Sequence, residues 1–259
     1  MMKFTIFAAS QIVAFATYPF PAALAETNGK FSLEAGMDYN TGKYGSTQSS
    51  NILYVPVTAR YLGTSWSMKL TVPYLQISGP YNVINGIGPT GTTTVASSTR
   101  SGLGDVIVAA TRNVYYGASS GLVLNLTGKI KFGTADSSKG LGTGKNDYAI
   151  QTDISKMSGR LTSFGTLGYK IYGKPTGYEL NNGYYGLLGG SYGFSQKMNG
   201  GLMFALAQRS SPTGYSRMEA IFFASRMMDK NLKAQGYVLK GFTKSVPSWG
   251  VGASMVHLF

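Results

Sequence analysis

The stretch "LVLNLTGKIKF", Leu122 to Phe132, alternates almost without fault between oily and wet side chains. An extended strand sends successive side chains to opposite faces. Leu122, Leu124, Leu126, Ile130 and Phe132 therefore share one face, and Val123, Asn125, Thr127, Lys129 and Lys131 share the other. The same period returns along the chain. Phe31, Leu33, Ala35, Met37 and Tyr39 alternate with Ser32, Glu34, Gly36 and Asp38, and Trp66, Met68, Leu70, Val72 and Tyr74 alternate with Ser67, Lys69, Thr71 and Pro73. This predicts about twelve strands, near 28–39, 51–62, 64–77, 103–117, 120–133, 147–157, 160–173, 183–195, 199–209, 215–227, 230–242 and 247–259. No segment has a helical period. Arg112 and Lys240 fall on nominally oily faces. Such a chain must cover its oily faces, either in the core of a sandwich or in hydrocarbon.

The connections decide between the two. Short links ("YGASSG", "KMSGR", "QKMNGG", "MMDKN" and the turn at Gly63-Thr64) alternate with longer ones ("TGKYGSTQSS", the run from Ser78 to Ser101, "GTADSSKGLGTGKN" and "GKPTGYELNNG"), closing with the shorter "SSPTG" and "TKSVP". Short turns alternating with long loops along an even number of strands are the signature of outer-membrane barrels, with the turns in the periplasm. A sandwich has no reason to keep its long loops at one end. The fold expected is thus all-β: a single closed antiparallel transmembrane barrel whose oily faces meet lipid.

Composition agrees. Only 13% of the residues are charged, roughly half the usual share, while glycine reaches 35 and tyrosine 18. There is no cysteine, which excludes disulfides and thiolate metal sites, and no cofactor or metal is called for. Tyr39, Tyr61, Trp66, Tyr74, Phe132 and Tyr169 fall on oily faces, mostly near strand ends, where interfacial girdles sit. The net charge of +13 suits docking against the anionic phosphates of outer-membrane lipid and lipopolysaccharide.

Residues 1–25 read as a secretory signal: Lys3, a mostly apolar run from Phe4 to Thr17, and the small-x-small site Ala23-Leu24-Ala25. Residues 26–259 are then the barrel. The apolar run is too short to span a bilayer as a helix, and no uncharged stretch of about 18 apolar residues follows it.

If oily residues face out, the others line the lumen. Twelve tilted strands give a barrel roughly 24 Å across between backbones, narrow once side chains fill it. The candidates for its lining are basic Arg60, Lys69, Lys129, Lys131, Lys170, Arg217 and Lys233, acidic Glu34, Asp38, Asp105, Asp147, Asp153 and Glu219, and aromatic Tyr54, Phe164, Tyr172 and Phe223. Charges of both signs across a pore either steer passing solutes or pair and fill the lumen. The expectation is a channel for passive uptake of small solutes with a modest anion preference; the alternative is a plugged structural or adhesive barrel. A lipid hydrolase is a third, but nucleophilic chemistry of that kind usually needs a histidine base. The single histidine, His257, sits two residues from the end of the last strand. "GLGTGK" lacks the first glycine and the Ser/Thr of a phosphate loop and has no helix after it, so it reads as a flexible outer loop. No nucleic-acid partner is expected.

Three segments, "SGLGDVIVAATRNVYYG", "KIKFGTADSSKGLGTGKNDYAIQTDISK" and "GFTKSVPSWGVGASMVHLF", resemble the outer-membrane barrel family named after the meta-pathway of phenol degradation, whose members are described as transporters. Gly102, Gly104 and Asp105 match its G-x-G-D. Lys131, Thr134 and Asp136 match its K-x-P-T-G-D, with Gly133 and Ala135 in place of the proline and glycine. Gly142, Thr143 and Gly144 match its G-T-G, followed by Asp147, and Ser248 to Gly252 match the start of its last strand. The resemblance implies uptake of small compounds, aromatic ones among them. The terminal Phe259 resembles the signal that the barrel-assembly machinery reads, although His257 departs from the usual apolar residue.

Overall fold

The structure is a computed structural model that describes residues 29–80, 83–84, 88–89, 97–176, 179–210 and 214–259. The expected signal, residues 1–25, lies outside these.

In chain order the strands are β1 (Lys30–Gly42), β2 (Ser50–Leu62), β3 (Trp66–Pro80), β4 (Val83–Ile84), β5 (Gly88–Pro89), β6 (Ser97–Leu103), β7 (Ile107–Gly117), β8 (Leu122–Lys131), β9 (Asp147–Ser158), β10 (Leu161–Ile171), β11 (Gly183–Gly193), β12 (Met198–Ala207), β13 (Arg217–Met227), β14 (Leu232–Gly241) and β15 (Trp249–Leu258). The short β4 and β5 pair only with each other. The rest form one antiparallel sheet in which each strand joins its chain neighbours, β15 pairs with β1, and β6 and β7 both pair with β3. Counting β6 and β7 as one interrupted strand, the sheet is a closed ring of twelve. A ring satisfies every ladder donor and acceptor between neighbours, which hydrocarbon demands of any spanning sheet.

The seam is long. Ser32 lies opposite Leu258, Thr41 opposite Trp249, and beyond the ladder Phe259 N donates to Phe31 O at 2.9 Å. Five connections at one end are tight turns, and the loops at the other end are longer, as the sequence pattern predicts. Glycine serves two of these turns: Gly121 and Gly159 hold φ of 65° and 59°, which a side chain would strain.

The outer wall is oily. Phe31, Leu33, Met37, Trp66, Met68, Leu70, Ile150, Ile154, Leu167, Leu188, Phe222, Val238 and Met255 are among its exposed side chains. An apolar surface this continuous far exceeds what a soluble monomer shows. Aromatic pairs mark both rims: Tyr61–Trp66 (5.2 Å) and Tyr192–Phe194 (5.5 Å) at the short-turn end, Tyr39–Trp249 (5.8 Å) and Tyr169–Tyr184 (4.9 Å) at the other. Arg112 and Lys240 do face outward. Arg112 Nη1 donates to Ser65 Oγ in the short turn, and Lys240 lies opposite Trp249 near the long-loop rim, so both charges sit near rims rather than at mid-wall.

Two departures from the sequence expectation concern the fourth strand and the interior. Part of the expected Ser78–Ser101 loop is strand: β3 runs on to Pro80, and β6 pairs along its extension, Tyr74 opposite Leu103 and Pro80 opposite Ser97. Between β6 and β7 the chain breaks step at Gly104-Asp105-Val106. Further along β7 the register shifts between Asn113 and Tyr115.

The second departure is that the inward faces are not uniformly wet. Met203 and Ala205 of β12, Ile221 and Phe223 of β13 and Leu239 of β14 bury an apolar cluster, against which Phe164, Leu187 and Tyr237 pack. The middle of β13 is oily on both faces, because Phe222 points out between inward Ile221 and Phe223, while Arg217, Glu219 and Ser225 share the inward face.

Candidate functional site

The break between β6 and β7 organises the long-loop mouth. Gly104 N donates to Pro73 O at 2.8 Å, and a Cβ on Gly104 would press on Leu75 and Pro73 at 2.8 and 3.0 Å. The bend turns Asp105 toward the β8–β9 loop, residues 132–146. Ala135 N donates to Asp105 Oδ1 at 3.0 Å, Val106 N donates to Thr134 Oγ1 at 2.9 Å, and Thr134 Oγ1 donates to Gly104 O at 3.3 Å. Lys131 Nζ reaches Asp105 at 2.5 Å and Asp147 at 3.4 Å, while Lys170 Nζ meets Asp147 at 2.9 Å. Charge-assisted contacts of this kind, largely out of water, are the strong ones.

These bonds fix the loop inside the mouth, contrary to the expectation of a flexible outer loop around "GLGTGK". Leu141 and Ala135 of that loop, with Tyr44 from the β1–β2 loop, bury against inward Ile52, Tyr54, Leu75 and Ile77. Leu141 is 2% exposed and Ile77 is 0% exposed. Gly142 belongs here because a Cβ would sit 3.0 Å from both Asp105 carboxylate oxygens. The loop's tip, Asp136 to Lys139, is in water: Ser138 hydrogen-bonds Asp136 at 2.6 Å and holds that carboxyl below the usual range.

Below this cap the interior holds two cavities of about 110 Å³ each, room for several waters. The upper one is lined mostly by apolar carbon and includes Glu34, Tyr54, Lys69, Lys129, Lys131, Lys170 and Arg217. The lower one, toward the short turns, is more polar and includes Arg60, Lys69, Asp153 and Phe164. Thr166 and Leu187 of β10 and β11 line both, as does Lys69 from β3, several strands away around the ring. The three mark the junction between the cavities.

The register places the basic residues in one row. Arg60 is opposite Lys69, Lys69 opposite Ala109, Ala109 opposite Lys129, Lys129 opposite Ala149, and Ala149 opposite Lys170. Alanine between successive lysines leaves room for their stems. Lys129 Nζ stands 5.6 Å over the Tyr185 ring, and Lys170 Nζ 4.1 Å over that of Tyr172, which follows β10 rather than lying within it.

Acidic residues are met in turn. Arg217 Nη2 donates to both Glu219 oxygens at 3.1 Å. Asp153 accepts from Gln151 Nε2 (2.7 and 2.8 Å) and Thr166 Oγ1 (2.6 Å), and Gln151 Oε1 accepts from Tyr185 O–H at 2.9 Å. Glu34 Oε1 accepts from Ser254 and Gln235 at 2.9 and 3.2 Å, and Asp38 accepts from Tyr237 O–H at 2.6 Å. Lys233 is buried on β14.

Of the aromatic candidates, Tyr54 lines the upper cavity, Phe164 the lower, and Phe223 is enclosed in the apolar cluster beside Phe164, ring centroids 6.2 Å apart. Sequence reading did not single out Thr166, Tyr185, Leu187 or Tyr237. Tyr185 and Leu187 fall in "GYYGLLGGSYG", where apolar residues and glycines occupy both parities and alternation gives no signal. His257 and Phe259 stack at 4.5 Å on the outer wall at the short-turn rim.

This is a narrow transmembrane-type β-barrel with a capped, charged interior. By sequence, residues 25–257 match the family described as "Putative MetA-pathway of phenol degradation", and the chain belongs to that family. No curated protein matches the chain. Among solved structures, an outer-membrane channel from Pseudomonas putida F1 superposes with a TM-score of 0.70 at 13% identity, covering 93% of this chain and 100% of that one. The KdgM porin superposes with a TM-score of 0.53 at 12% identity, covering 88% of this chain and 99% of its own. At such identities the likeness is one of fold.

Proposed function

We propose that the protein is an outer-membrane channel for passive uptake of small solutes, anionic or aromatic, through a narrow charged lumen. In this reading residues 1–25 direct export, the barrel-assembly machinery reads Phe259, and the barrel sits in lipid and lipopolysaccharide with its short turns in the periplasm. The observation that carries it is the pair of cavities stacked inside a closed ring, sharing Lys69, Thr166 and Leu187 in their walls and each lined in part by charged residues, beneath an oily exterior. Lysines with apolar carbon between them suit anions that also carry an oily part. The likeness in fold to two solved barrels, a channel and a porin, adds support.

The test is current through the refolded mature chain in a planar bilayer under a salt gradient, after heat-modifiable gel migration has verified folding. Discrete steps with an anion-directed reversal potential are expected. A second reading, a plugged structural barrel, is favoured by the apolar cap of Tyr44, Ala135 and Leu141. A folded barrel that passes no current supports the plug and rejects the ion-conducting channel.

A further inference from the structure

The junction between the two cavities has a chemistry of its own. Arg60 and Lys129 bear on Lys69 with like charge and Glu34 with opposite charge, and Asp153 bears on Lys129, so three basic groups face two acidic ones here. Higher in the lumen, Lys131 and Lys170 share Asp147, and Arg217 holds Glu219. Around the ring from Lys69 the wall changes character. Leu187 lines both cavities and packs, with Phe164, against the apolar cluster of β12 to β14. One side of the junction is therefore cationic and the other is oily. A mostly apolar cavity with a few convergent charges is the usual design of a small-molecule site. Here an ammonium pair asks for an anionic head, and the Leu187–Phe164 side asks for an apolar body.

We propose that this junction is a binding site for small amphiphilic carboxylates, the carboxylate held between Lys69 and Lys129 and the apolar body laid against Leu187 and Phe164. The carboxylate accepts charge-assisted hydrogen bonds from the two ammonium groups, while the body displaces water from carbon-lined space. Neither half of the ligand suffices. A short carboxylate has no body to desolvate, and a neutral analogue brings no charge for the lysines to meet. The site deepens the channel reading by naming its solute class, and it rests on that reading only for passage, not for binding.

The experiment uses the refolded mature barrel in detergent and in planar bilayers, with benzoate as the probe and acetate and benzyl alcohol as half-ligands. Equilibrium dialysis should show benzoate held at least about tenfold more tightly than either half-ligand. Lys69→Gln and Lys129→Gln should each weaken benzoate by about tenfold, Lys69→Arg should restore most of the affinity, and Leu187→Ser should weaken benzoate while sparing acetate. In bilayers benzoate should block the current of the wild type and not that of Lys69→Gln. Benzoate bound no better than benzyl alcohol overturns the site on the wild type alone, whether or not a variant folds. Benzoate affinity unmoved by Lys69→Gln and Lys129→Gln overturns the assignment to these lysines. A barrel that holds benzoate with this pattern and passes no current keeps the site and loses the channel; one that conducts and holds none loses the site and keeps the channel.

Discussion

The Tyr237 hydroxyl donates to Asp38 Oδ1 at 2.6 Å by reaching across β15, where Gly252 is opposite both residues in the ladder. A Cβ at Gly252 would collide with the Asp38 carboxylate and the Tyr237 ring. The glycine that resembles the family's last-strand motif is thus the gap through which two strands that are not neighbours hydrogen-bond. Gly252→Val should destabilise the barrel by about 1–3 kcal/mol through overpacking, and Tyr237→Phe by less, about 1 kcal/mol for one lost bond. Denaturant titration followed by gel mobility checks both, and a Gly252→Val barrel as stable as wild type would show that the gap is not needed.

Lys131 ties the capping loop to two carboxylates, Asp105 and Asp147. Lys131→Met leaves Asp105 without its cation and Asp147 with Lys170 alone, in a region mostly shielded from water, a loss on the order of 3 kcal/mol for a buried pair. The loop should loosen before the barrel does. Trypsin has exposed sites at Lys139 and Lys145, so cleavage there should quicken in Lys131→Met while the strands stay protected. Equal cleavage rates would mean that Leu141 and its apolar neighbours hold the loop by themselves.

In the β13–β14 turn, Asp229 Oδ1 accepts from Asn231 N and Leu232 N, each at 2.7 Å. The Asn231 and Leu232 amides, in that order, hold its carboxyl below the usual range. A depressed value in the folded state means stability that is fully present above the unfolded value, near 3.9, and lost as pH falls through the folded value. Asp229→Ala should therefore be less stable than wild type at pH 7, and the gap should close as the solution is taken below about pH 4. A gap of constant size across that window would assign the effect to something other than the carboxylate.

Phe259 is 67% exposed, stacks on His257 and donates its N–H to Phe31 O. Its packing is slight, so a role in assembly and a role in stability can be separated. Deleting it should cut the folded fraction recovered from outer membranes severalfold while leaving refolding into detergent nearly unchanged. If both fall together, the residue acts by closing the seam.

Much of this architecture was legible because β8 and its like alternate cleanly and the connections alternate in length, two independent signals that agree. What escaped did so for physical reasons. β6 reads "SSTRSGL", polar on both faces, and is held by the extension of β3 rather than by any oily face of its own. In β13 the alternation of Arg217, Glu219 and Ser225 with Met218, Ala220 and Ala224 announced the inside, but the Ile221-Phe222-Phe223 run at its middle hid the apolar cluster. The cap depends on Leu141, one leucine among glycines, and on contacts between Asp105, Lys131 and Ala135 that sit about 26 to 30 residues apart in the chain. Motif resemblance had flagged Gly104, Asp105, Lys131 and Thr134 separately. Their meeting at one bend is a property of register, which no single strand encodes. The junction at Lys69 was half legible: its cation was marked, its partners Thr166 and Leu187 were not.

Phe259 beside Phe31 also means that the two described ends of the chain leave the ring at the same rim, on adjacent strands. The twelvefold wall consequently has no privileged beginning. Joining the ends with a short linker and reopening the chain at Gly159, in a tight turn on that same rim, would preserve every ladder but alter the order in which the ribosome makes them. The identity of the first strand belongs to synthesis and export, and the finished cylinder keeps no record of it.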